Sequence, residues 1–486
     1  MSSKLKHLSD FSDRLSPMLV KELRQGMRAR SFTMLFLIFQ LLLCFILVSV
    51  GSSAESDSAG SASSGIIFTM FIIAGIFIQP MRGVTALSSE IKDNTIEMMV
   101  LTRLSAARIV FGKWIAIVSQ SALLLVTIIP YLILRYFFGG MLLVGELVFL
   151  TLIFMTSMAL TAVMVGLSGN AGKLTRLFPV IGFIFMLSLL PRFLIGGNSF
   201  ETFIGYCTLS SVEARVGILC YILFILYIGW CALSYGISSI APTADNHSTL
   251  RRLITLGLAL IAAFVGLHRD VPPQVLLVIF AIIISPAIIT ALTESAILFP
   301  PMCAPFVKRG AIGKFLALFL LPGWPTGVLY TTLLAFVILA GITLSWVTKS
   351  YPYFEKEMII FSLACFGTVL FPALLAVYFC KQESKRLRMF TIFTLVSIAL
   401  AVLPSILLNI NGSENLLLIF VWNPLVWIFM MNDSKFIDNH VMIAAIITCS
   451  IYLLLLIISA VIAIRRYGVI MQDSENEFKK PATIDL

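Results

Sequence analysis

The sequence predicts an all-α, polytopic transmembrane helix bundle, and three observations carry that prediction. Hydrophobic residues make up 59% of the 486-residue chain and charged residues only 12%, whereas soluble globular proteins carry about 25% charged residues. The apolar residues are gathered into long stretches, each close to the roughly 20 residues that a helix needs to cross about 30 Å of hydrocarbon. The basic residues are distributed unevenly among the segments that join these stretches.

About twelve such stretches follow one another along the chain. They cover residues 32–50, 65–81, 114–134, 147–167, 177–195, 216–240, 253–267, 274–298, 326–347, 358–380, 389–408 and 441–464. The first is expected to be retained, because a cleaved signal has a brief leader and an apolar core of about 7–15 residues. The serine- and glycine-rich stretch 51–64 that follows has the composition of a flexible outer loop.

Two further apolar segments do not fit a simple crossing. Residues 315–347 would form one helix of about 50 Å at about 1.5 Å per residue, but Pro322 and Pro325 interrupt them. We therefore expect 315–321 to lie along the membrane surface. Within 409–440, the short apolar run 416–431 is split at Trp422, Asn423 and Pro424, because proline disfavours helix in the residue before it. This pattern predicts a re-entrant or interfacial pair of short helices.

The lysines and arginines determine the expected orientation. With the N-terminus inside the cell, about four-fifths of the 34 lysines and arginines fall in cytoplasmic segments. An additional crossing at either irregular segment would move a basic cluster such as 381–388 to the outer side. Both termini are therefore predicted to be cytoplasmic, in a bacterial-type cytoplasmic (inner) membrane. The formal net charge of +10 is interpreted as a topology signal and not as a sign of nucleic-acid binding.

The sequence offers no pattern for a metal or nucleotide site. Its eight cysteines and four histidines are scattered without the spacing of a metal site. The segment "GLSGNAGKLTRLF" resembles a phosphate-binding loop, but Gly166 is one residue too far from Gly172, and Leu174 replaces the required hydroxyl. We predict a basic loop between spans there. The chain is thus expected to lack an ATPase site and cofactors of its own, and not to be an enzyme.

A basic amphipathic helix is predicted before the first span. In "RLSPMLVKELRQGMRAR", Ser16 is placed as N-cap and Pro17 as the first helical residue. Apolar residues recur along one side, while basic residues crowd the other, a pattern typical of a helix in the membrane interface with anionic lipid nearby. The polar residues singled out on this helix are Lys21, Glu22, Arg24 and Arg28.

The longest cytoplasmic loop, 82–113, combines charged residues with short helical stretches. Residues 95–101 are predicted to be helical, and Ser105 is placed as the cap of a second helix that runs through Arg108 and Lys113 into the third span. A helix lying across the ends of two spans is suited to docking onto a soluble partner. Such docking would transmit the partner's movement to both spans.

At these residues the chain resembles the ABC type-2 exporter permeases. Their pattern has a basic Lys-Glu segment before the first span, matched by Lys21-Glu22, and a loop with a characteristic order of residues after the second span. The positions that match this loop are Glu90, Thr95, Glu97, Leu104, Ser105, Arg108, Gly112 and Lys113. These permeases also resemble the chain in placing short helices, often with Asn-Pro, before the last span, as in "WNPLVW".

The resemblance implies a membrane subunit that exports an amphipathic or polymeric solute and is driven by a separate nucleotide-binding ATPase subunit. ATP and magnesium are then expected on that partner, and a second permease chain is possible. The residues expected to contact the ATPase are Glu90, Thr95, Glu97, Arg103 and Arg108. The expected organisation has three parts: a cytoplasmic N-terminus 1–31, a six-span permease domain 32–250, and a second six-span region 251–486 with a short cytoplasmic tail.

Two other function classes remain open at the level of sequence. An ion-coupled secondary transporter would need ionisable groups deep in the membrane, and Glu294 is the only acidic residue within the predicted spans. A membrane-embedded lipid- or glycan-processing enzyme would need a polar cluster at the interface. The only candidates for that cluster have no diagnostic spacing: Arg192, Glu201, Glu213 and Arg215.

Overall fold

The chain forms two compact units, residues 1–241 and 242–486, whereas the sequence-based division was drawn at 250/251. The computed structural model describes residues 17–52, 59–93, 105–137, 142–169, 198–242, 245–268, 273–295, 298–349, 356–411, 420–430 and 439–479. Within these ranges every regular element is helical and there is no strand. The predicted all-α helix bundle is therefore confirmed.

Nine helices among the described residues are long and apolar enough to cross a membrane, as expected for a multi-pass membrane protein. They cover 30–49, 65–92, 106–134, 143–168, 212–240, 248–268, 324–345, 359–379 and 442–470. Of the other three predicted spans, 177–195 lies outside the described residues, and the remaining two are helices at Pro273–Thr293 and Arg386–Asn411. The count of about twelve stays a prediction.

The described residues of unit 1 form eight helices and an irregular stretch in the second span. The helices are α1 (Pro17–Arg28), α2 (Arg30–Ser52), α3 (Ala59–Ile72), α4 (Ala86–Lys92), α5 (Ala106–Tyr136), α6 (Leu143–Ser168), α7 (Asn198–Cys207) and α8 (Val212–Ile240). Between α3 and α4 the chain passes through a π-turn (Ile73–Ile78), one short helical turn and a 3₁₀-turn (Arg82–Thr85). The second span therefore continues to Lys92, beyond its predicted end at 81.

Small residues determine the closest helix pair of unit 1, α6 against α8. A Cβ at Gly166 would overlap the carbonyl oxygen of Ala232, and one at Gly236 would lie 2.8 Å from the Cα of Gly166. Only glycine permits this approach, which maximises van der Waals contact where no hydrophobic force acts between helices. The rest of the unit packs around two apolar clusters, one centred on Leu43, Phe68, Leu124 and Ile153, and another on Leu87, Ile109 and Val165.

In unit 2, nine helices lie within the ranges that the structure describes. They are α9 (Ser248–His268), α10 (Pro273–Thr293), α11 (Pro300–Val307), α12 (Gly310–Leu320), α13 (Trp324–Lys349), α14 (Lys356–Phe379), α15 (Arg386–Asn411), α16 (Pro424–Met430) and α17 (Asn439–Lys479). A large apolar core joins α9, α10, α13, α14, α15 and α17. A smaller end cluster joins residues 298–321 to the far end of α17; it contains Cys303, Phe306, Leu320 and Tyr467.

The long apolar run 315–347 is broken where the prolines predicted it. Helix α12 ends at Leu320, residues 321–323 are irregular, and α13 begins at Trp324 with Pro325 in its first turn. Gly323 has a φ of 118°, which a residue with a side chain rarely adopts. The helix before the break begins at Gly310, earlier than the predicted surface segment 315–321.

Two further expectations were wrong in detail. Residues 59–64 belong to α3 and not to a loop, since alanine and serine are compatible with a helix that continues an apolar span. Glu294 lies just beyond the end of α10 and not within a span. Helix α17 continues through residues 465–479, the start of the predicted cytoplasmic tail.

Candidate functional site

Unit 1 contains a shielded ion cluster around Lys113 in α5. The Lys113 ammonium nitrogen lies 2.6 Å from Oε1 of Glu90 in α4 and 3.2 Å from Oε1 of Glu22 in α1. Lys113 is 6% exposed, and the two glutamate side chains retain only 15–16% of their surface. One ammonium thus joins three elements far apart in sequence; we call Glu22, Glu90 and Lys113 the lysine bridge.

The amphipathic sequence of α1 places Glu22 on the inner side of that helix. Lys21, Arg24 and Arg28 are exposed, as expected for an interfacial helix, while Glu22 is half-buried. Helix α1 packs along α5, so the inward carboxylate reaches Lys113. Pro17 begins the helix, as predicted.

The lysine bridge lies at the base of the predicted docking loop. Helix α4 ends at Lys92, and α5 begins at Ala106 with the backbone N–H of Arg108 donating to Ser105 Oγ at 3.4 Å, so that Ser105 caps the helix as predicted. The Glu90–Lys113 ion pair joins these two helix ends across the intervening segment 94–104. Any displacement of that segment therefore acts on two connected spans and, through Glu22, on α1.

A second polar contact connects the 3₁₀-turn of the second span to the first and third spans. Arg82 in the 3₁₀-turn donates from Nη1 to Oε1 of Gln120 in α5, and its guanidinium carbon lies 5.5 Å from the ring centroid of Phe32 in α2. Gln120 and Phe32 are both buried. Helices α2 and α5 are thus both connected to the irregular stretch that precedes α4, the helix that carries Glu90.

The electrostatics of the lysine bridge make it sensitive to the loss of one member. Two carboxylates face one ammonium, and little water reaches them. Removing one partner from a shielded ion pair leaves an uncompensated charge, which costs far more than the pair itself contributes. The cluster therefore holds α1, α4 and α5 together.

The structure locates only part of the predicted ATPase contact. Glu90 lies in the lysine bridge, and Arg108 is exposed in the first turn of α5. Thr95, Glu97 and Arg103 lie outside the described residues. Sequence reasoning selected Glu22, Glu90 and Lys113 separately as motif positions and did not predict that they meet.

Unit 2 contains a second buried ion cluster, which sequence reasoning missed. Arg251 and Arg252 in α9 are each 2% exposed, and their Nη2 atoms lie 3.0 Å from Oε1 and Oε2 of Glu294, respectively. Ser248 Oγ donates to Glu294 Oε1, and the backbone N–H of Gly323 donates to Oε2 at 3.1 Å. The signal available in the sequence was an Arg-Arg pair at the start of an apolar stretch.

This second cluster supplies hydrogen-bond partners to backbone groups at the end of α12 and at the start of α13. Arg252 Nη1 donates to the carbonyl oxygens of Phe319 at 2.9 Å and Leu321 at 2.6 Å, at the C-terminus of α12, where a cation is favoured by the helix dipole. Glu294 accepts from Gly323 directly before α13, where an anion is favoured. We call Arg251, Arg252 and Glu294 the arginine clamp, since it holds the two helix ends in place.

A further contact holds Trp324, the first residue of α13. Its indole N–H donates to Oε1 of Glu383 at 3.3 Å, and the guanidinium carbon of Arg386 lies 4.6 Å from the centre of its ring. Arg386 Nη1 also lies 3.5 Å from Glu383 Oε1. Burial lowers the pKa of Arg386, and the Glu383 carboxylate opposes that shift.

The predicted re-entrant segment lies inside unit 2. Residues 420–423 form a turn, and α16 follows with Val426 and Trp427 fully buried against α14 and α15. Asn423 Oδ1 accepts from Ser397 Oγ at 2.8 Å and from the backbone N–H of Leu425 at 3.2 Å, while its Nδ2 donates to the Ser397 carbonyl at 2.8 Å.

Trp422 is partly exposed, and its carbonyl oxygen accepts from the Tyr452 hydroxyl. Pro424 is buried against Gly367. Trp422, Asn423 and Pro424 are therefore explained by packing within unit 2. Residues 416–419 and 431 of the predicted run lie outside the described residues.

No group of three or more His, Cys, Asp or Glu side chains among the described residues is arranged to hold a metal ion. The eight cysteines are free thiols. Burial in the small end cluster raises the pKa of Cys303 to about 11, so that this thiol is protonated at neutral pH and is a weak nucleophile.

Comparison of the chain with protein-family models, with curated proteins and with solved structures gave no match.

Proposed function

We propose that the chain is the membrane-spanning permease subunit of an ATP-driven ABC exporter, energised by a separate nucleotide-binding subunit. The observation that carries the proposal is the lysine bridge. It joins the amphipathic helix, the end of the second span and the start of the third around segment 94–104, where the resemblance to ABC type-2 permeases places the ATPase contact. A joint of this kind is what a docking loop needs in order to transmit force to the spans on either side.

Within this proposal the docking surface comprises Glu90, Thr95, Glu97, Arg103 and Arg108. ATP and magnesium are bound by the partner and not by this chain. The exposed Lys21, Arg24 and Arg28 of α1 lie toward anionic lipid in the cytoplasmic leaflet. Both termini are cytoplasmic, the membrane is the bacterial-type inner membrane, and about twelve spans carry an amphipathic or polymeric solute outward.

The arginine clamp favours this proposal over an ion-coupled secondary transporter. Such a transporter would use Glu294, the only carboxylate within the spans predicted from the sequence, to bind and release the coupling ion. Both oxygens of Glu294 already accept from Arg251, Arg252, Ser248 and Gly323. A carboxylate held by four donors stabilises the broken helix and is poorly placed to exchange an ion on every cycle.

The test is purification of the tagged full-length protein from its native membranes in mild detergent, followed by identification of the soluble chains retained. We expect a P-loop ATPase whose hydrolysis rate rises when it is bound. Glu97→Arg and Arg108→Glu should each reduce its recovery by about tenfold or more, as expected for loss of a charge-assisted contact at an interface.

Arg215→Glu is the matched control, because Arg215 is also exposed in the first turn of an apolar helix but is assigned to the opposite side of the membrane. It should leave recovery of the ATPase unchanged. Purification without any ATPase, or equal loss in Arg108→Glu and Arg215→Glu, would contradict the proposed function.

A further inference from the structure

The second span is irregular at one defined place. Its helix opens into a π-turn at Ile73–Ile78 and then tightens into a 3₁₀-turn at Arg82–Thr85 before regular helix resumes in α4. π-turns inside α-helices are rare and occur mainly at functional sites. This one lies upstream of Glu90, so its geometry determines the direction in which Glu90 points.

Pro80 leaves the carbonyl of Gly75 without a backbone donor in this turn. The backbone N–H of Gln79 donates to Ala74, five residues back, and not to Gly75, four residues back. In π geometry the next donor would be the N–H of residue 80, but proline has none. The Gly75 carbonyl is instead satisfied from another helix, since Ser157 Oγ of α6 donates to it at 2.5 Å.

Helix α6 also satisfies the far end of the irregular stretch. The backbone N–H of Leu87, near the start of α4, donates to Ser168 Oγ at 3.1 Å, and that hydroxyl donates to the Val165 carbonyl at 2.7 Å. Two serines of α6 therefore take the place of the backbone partners that a regular helix would have supplied. The second span is held in this shape by its neighbour.

The amide of Gln79 destabilises the π arrangement. Its side chain is fully buried, and neither its amide nitrogen nor its amide oxygen has a hydrogen-bond partner. An unsatisfied buried amide is unfavourable, and it raises the free energy of the π arrangement. In the alternative, an ordinary α-helical turn, the N–H of Gln79 would donate to Gly75 and release Ser157.

We propose that the π-turn at 73–78 converts between these two arrangements, and that Ser157 is the positioning residue that holds it in the π form. A π-turn contains one more residue than the α-helical turn that it replaces. If α3 stays in place and the 3₁₀-turn keeps its local geometry, each residue after the π-turn moves to the position that the next residue occupied. This shift is a rotation of about 100° around the helix axis. Glu90 then takes the place of the exposed Ile91 and leaves Lys113.

The conversion is a two-state element that connects the interior of unit 1 to the lysine bridge. The π form engages Glu90 with Lys113, and the α form releases it. Its role in coupling rests on the proposed function, because the docking loop begins directly after α4. The conversion itself is tested on the purified chain without a partner.

The test is the labelling rate of two neighbouring cysteines in α4. Ser88 is buried and Ser89 is exposed, so Ser89→Cys should react faster with a maleimide than Ser88→Cys. Each is measured by mass spectrometry of its peptide in the full-length protein in lipid nanodiscs. Ser157→Ala removes the donor to Gly75, and Pro80→Ala removes the ring that would clash with the Ile76 carbonyl in an α-helical turn.

Both changes should invert the order of labelling, with Ser88→Cys accelerated by about tenfold, the factor that corresponds to one hydrogen bond. Ser121→Ala is the matched control. It removes the other contact of Ser157, to Ser121 Oγ at 3.3 Å, but leaves the bond to Gly75 intact, and it should preserve the original order.

An unchanged order in both Ser157→Ala and Pro80→Ala would overturn the proposal. Acceleration of both cysteines together would also overturn it, because that result reports local unfolding and not rotation. Inversion of the order in a protein that retains no ATPase would support the positioning role of Ser157 and contradict only the proposed function. Recovery of an ATPase without inversion of the labelling order would support the proposed function and contradict the positioning role of Ser157.

Discussion

Replacing Lys113 with methionine removes the ammonium group that joins the carboxylates of Glu22 and Glu90. Breaking a buried ion pair by removing one partner costs about 3–5 kcal/mol. We take the lower end, about 3 kcal/mol, because the two glutamate side chains keep 15–16% of their surface exposed. Unit 1 spans 241 residues, and for domains of 150–250 residues 1 kcal/mol shifts the Tm by about 2–4 °C. The expected loss is therefore about 6–12 °C.

A second variant separates charge from packing. The triple change Glu22→Gln, Glu90→Gln and Lys113→Met removes the charges of all three members of the lysine bridge. Replacing a whole buried ion cluster by uncharged residues often changes the stability very little. We expect the Tm of this variant to lie within about 3 °C of the wild type, which corresponds to about 1 kcal/mol. Lys21→Met, on the exposed side of α1, is the matched single control.

The assay is thermal unfolding of the detergent-purified protein followed by intrinsic tryptophan fluorescence. A Tm of Lys113→Met equal to that of Lys21→Met would refute the reasoning, because the bridge would then contribute no more than an exposed charge. A triple variant as unstable as the single one would also refute it, since the loss would then come from packing around the lysine stem.

Three other predictions follow from unit 2. Arg252→Met should lower stability by about 3 kcal/mol or more, because it removes one of the four donors of the Glu294 carboxylate and the guanidinium that donates to the carbonyls of Phe319 and Leu321. Thermal unfolding measures this, and a loss no greater than that of the exposed Lys308→Met would contradict it. Asn423→Leu should cost about 1–3 kcal/mol, because it removes the side chain that hydrogen-bonds the buried Ser397. Trp422→Leu should cost less, because Trp422 is partly exposed. Equal losses would count against the role given to Asn423. The pKa of Cys303 is raised from 9.0 to about 11, so at pH 8 this thiol should react with iodoacetamide about a hundredfold more slowly than a cysteine introduced at the exposed Ser210. Its reaction rate should rise as the pH approaches 11. Comparable rates at pH 8 would show that the thiol is not shielded.

The sequence predicted the features that depend on local pattern. The apolar stretches, the start of α1 at Pro17, the cap at Ser105 and the break near Pro322 and Pro325 all follow from propensity and spacing. Each is determined by residues within one or two turns of the position concerned. Local rules are sufficient in such cases.

The features that the sequence missed depend on partners distant along the chain. Lys113 meets Glu22 across 91 residues, and Arg252 meets Thr326 across 74; no periodicity within a single helix reveals such pairs. The π-turn was equally hidden, because the donor that completes it is Ser157 on another helix. Pro80 was visible in the sequence, but its effect on the register of the helix depends on that neighbour.

The small end cluster of unit 2 has a consequence for the order in which the chain assembles during synthesis. It packs residues 298–321 against Tyr467 and Ile470 at the far end of α17. About 150 residues separate the two parts, so at roughly 5–20 residues per second the earlier part waits for roughly 8–30 s before its partner has been made. During that interval Cys303 and Phe306 lack the surface that later buries them. The lysine bridge, in contrast, needs only residues 22–113, so it can form before most of the chain has been synthesised.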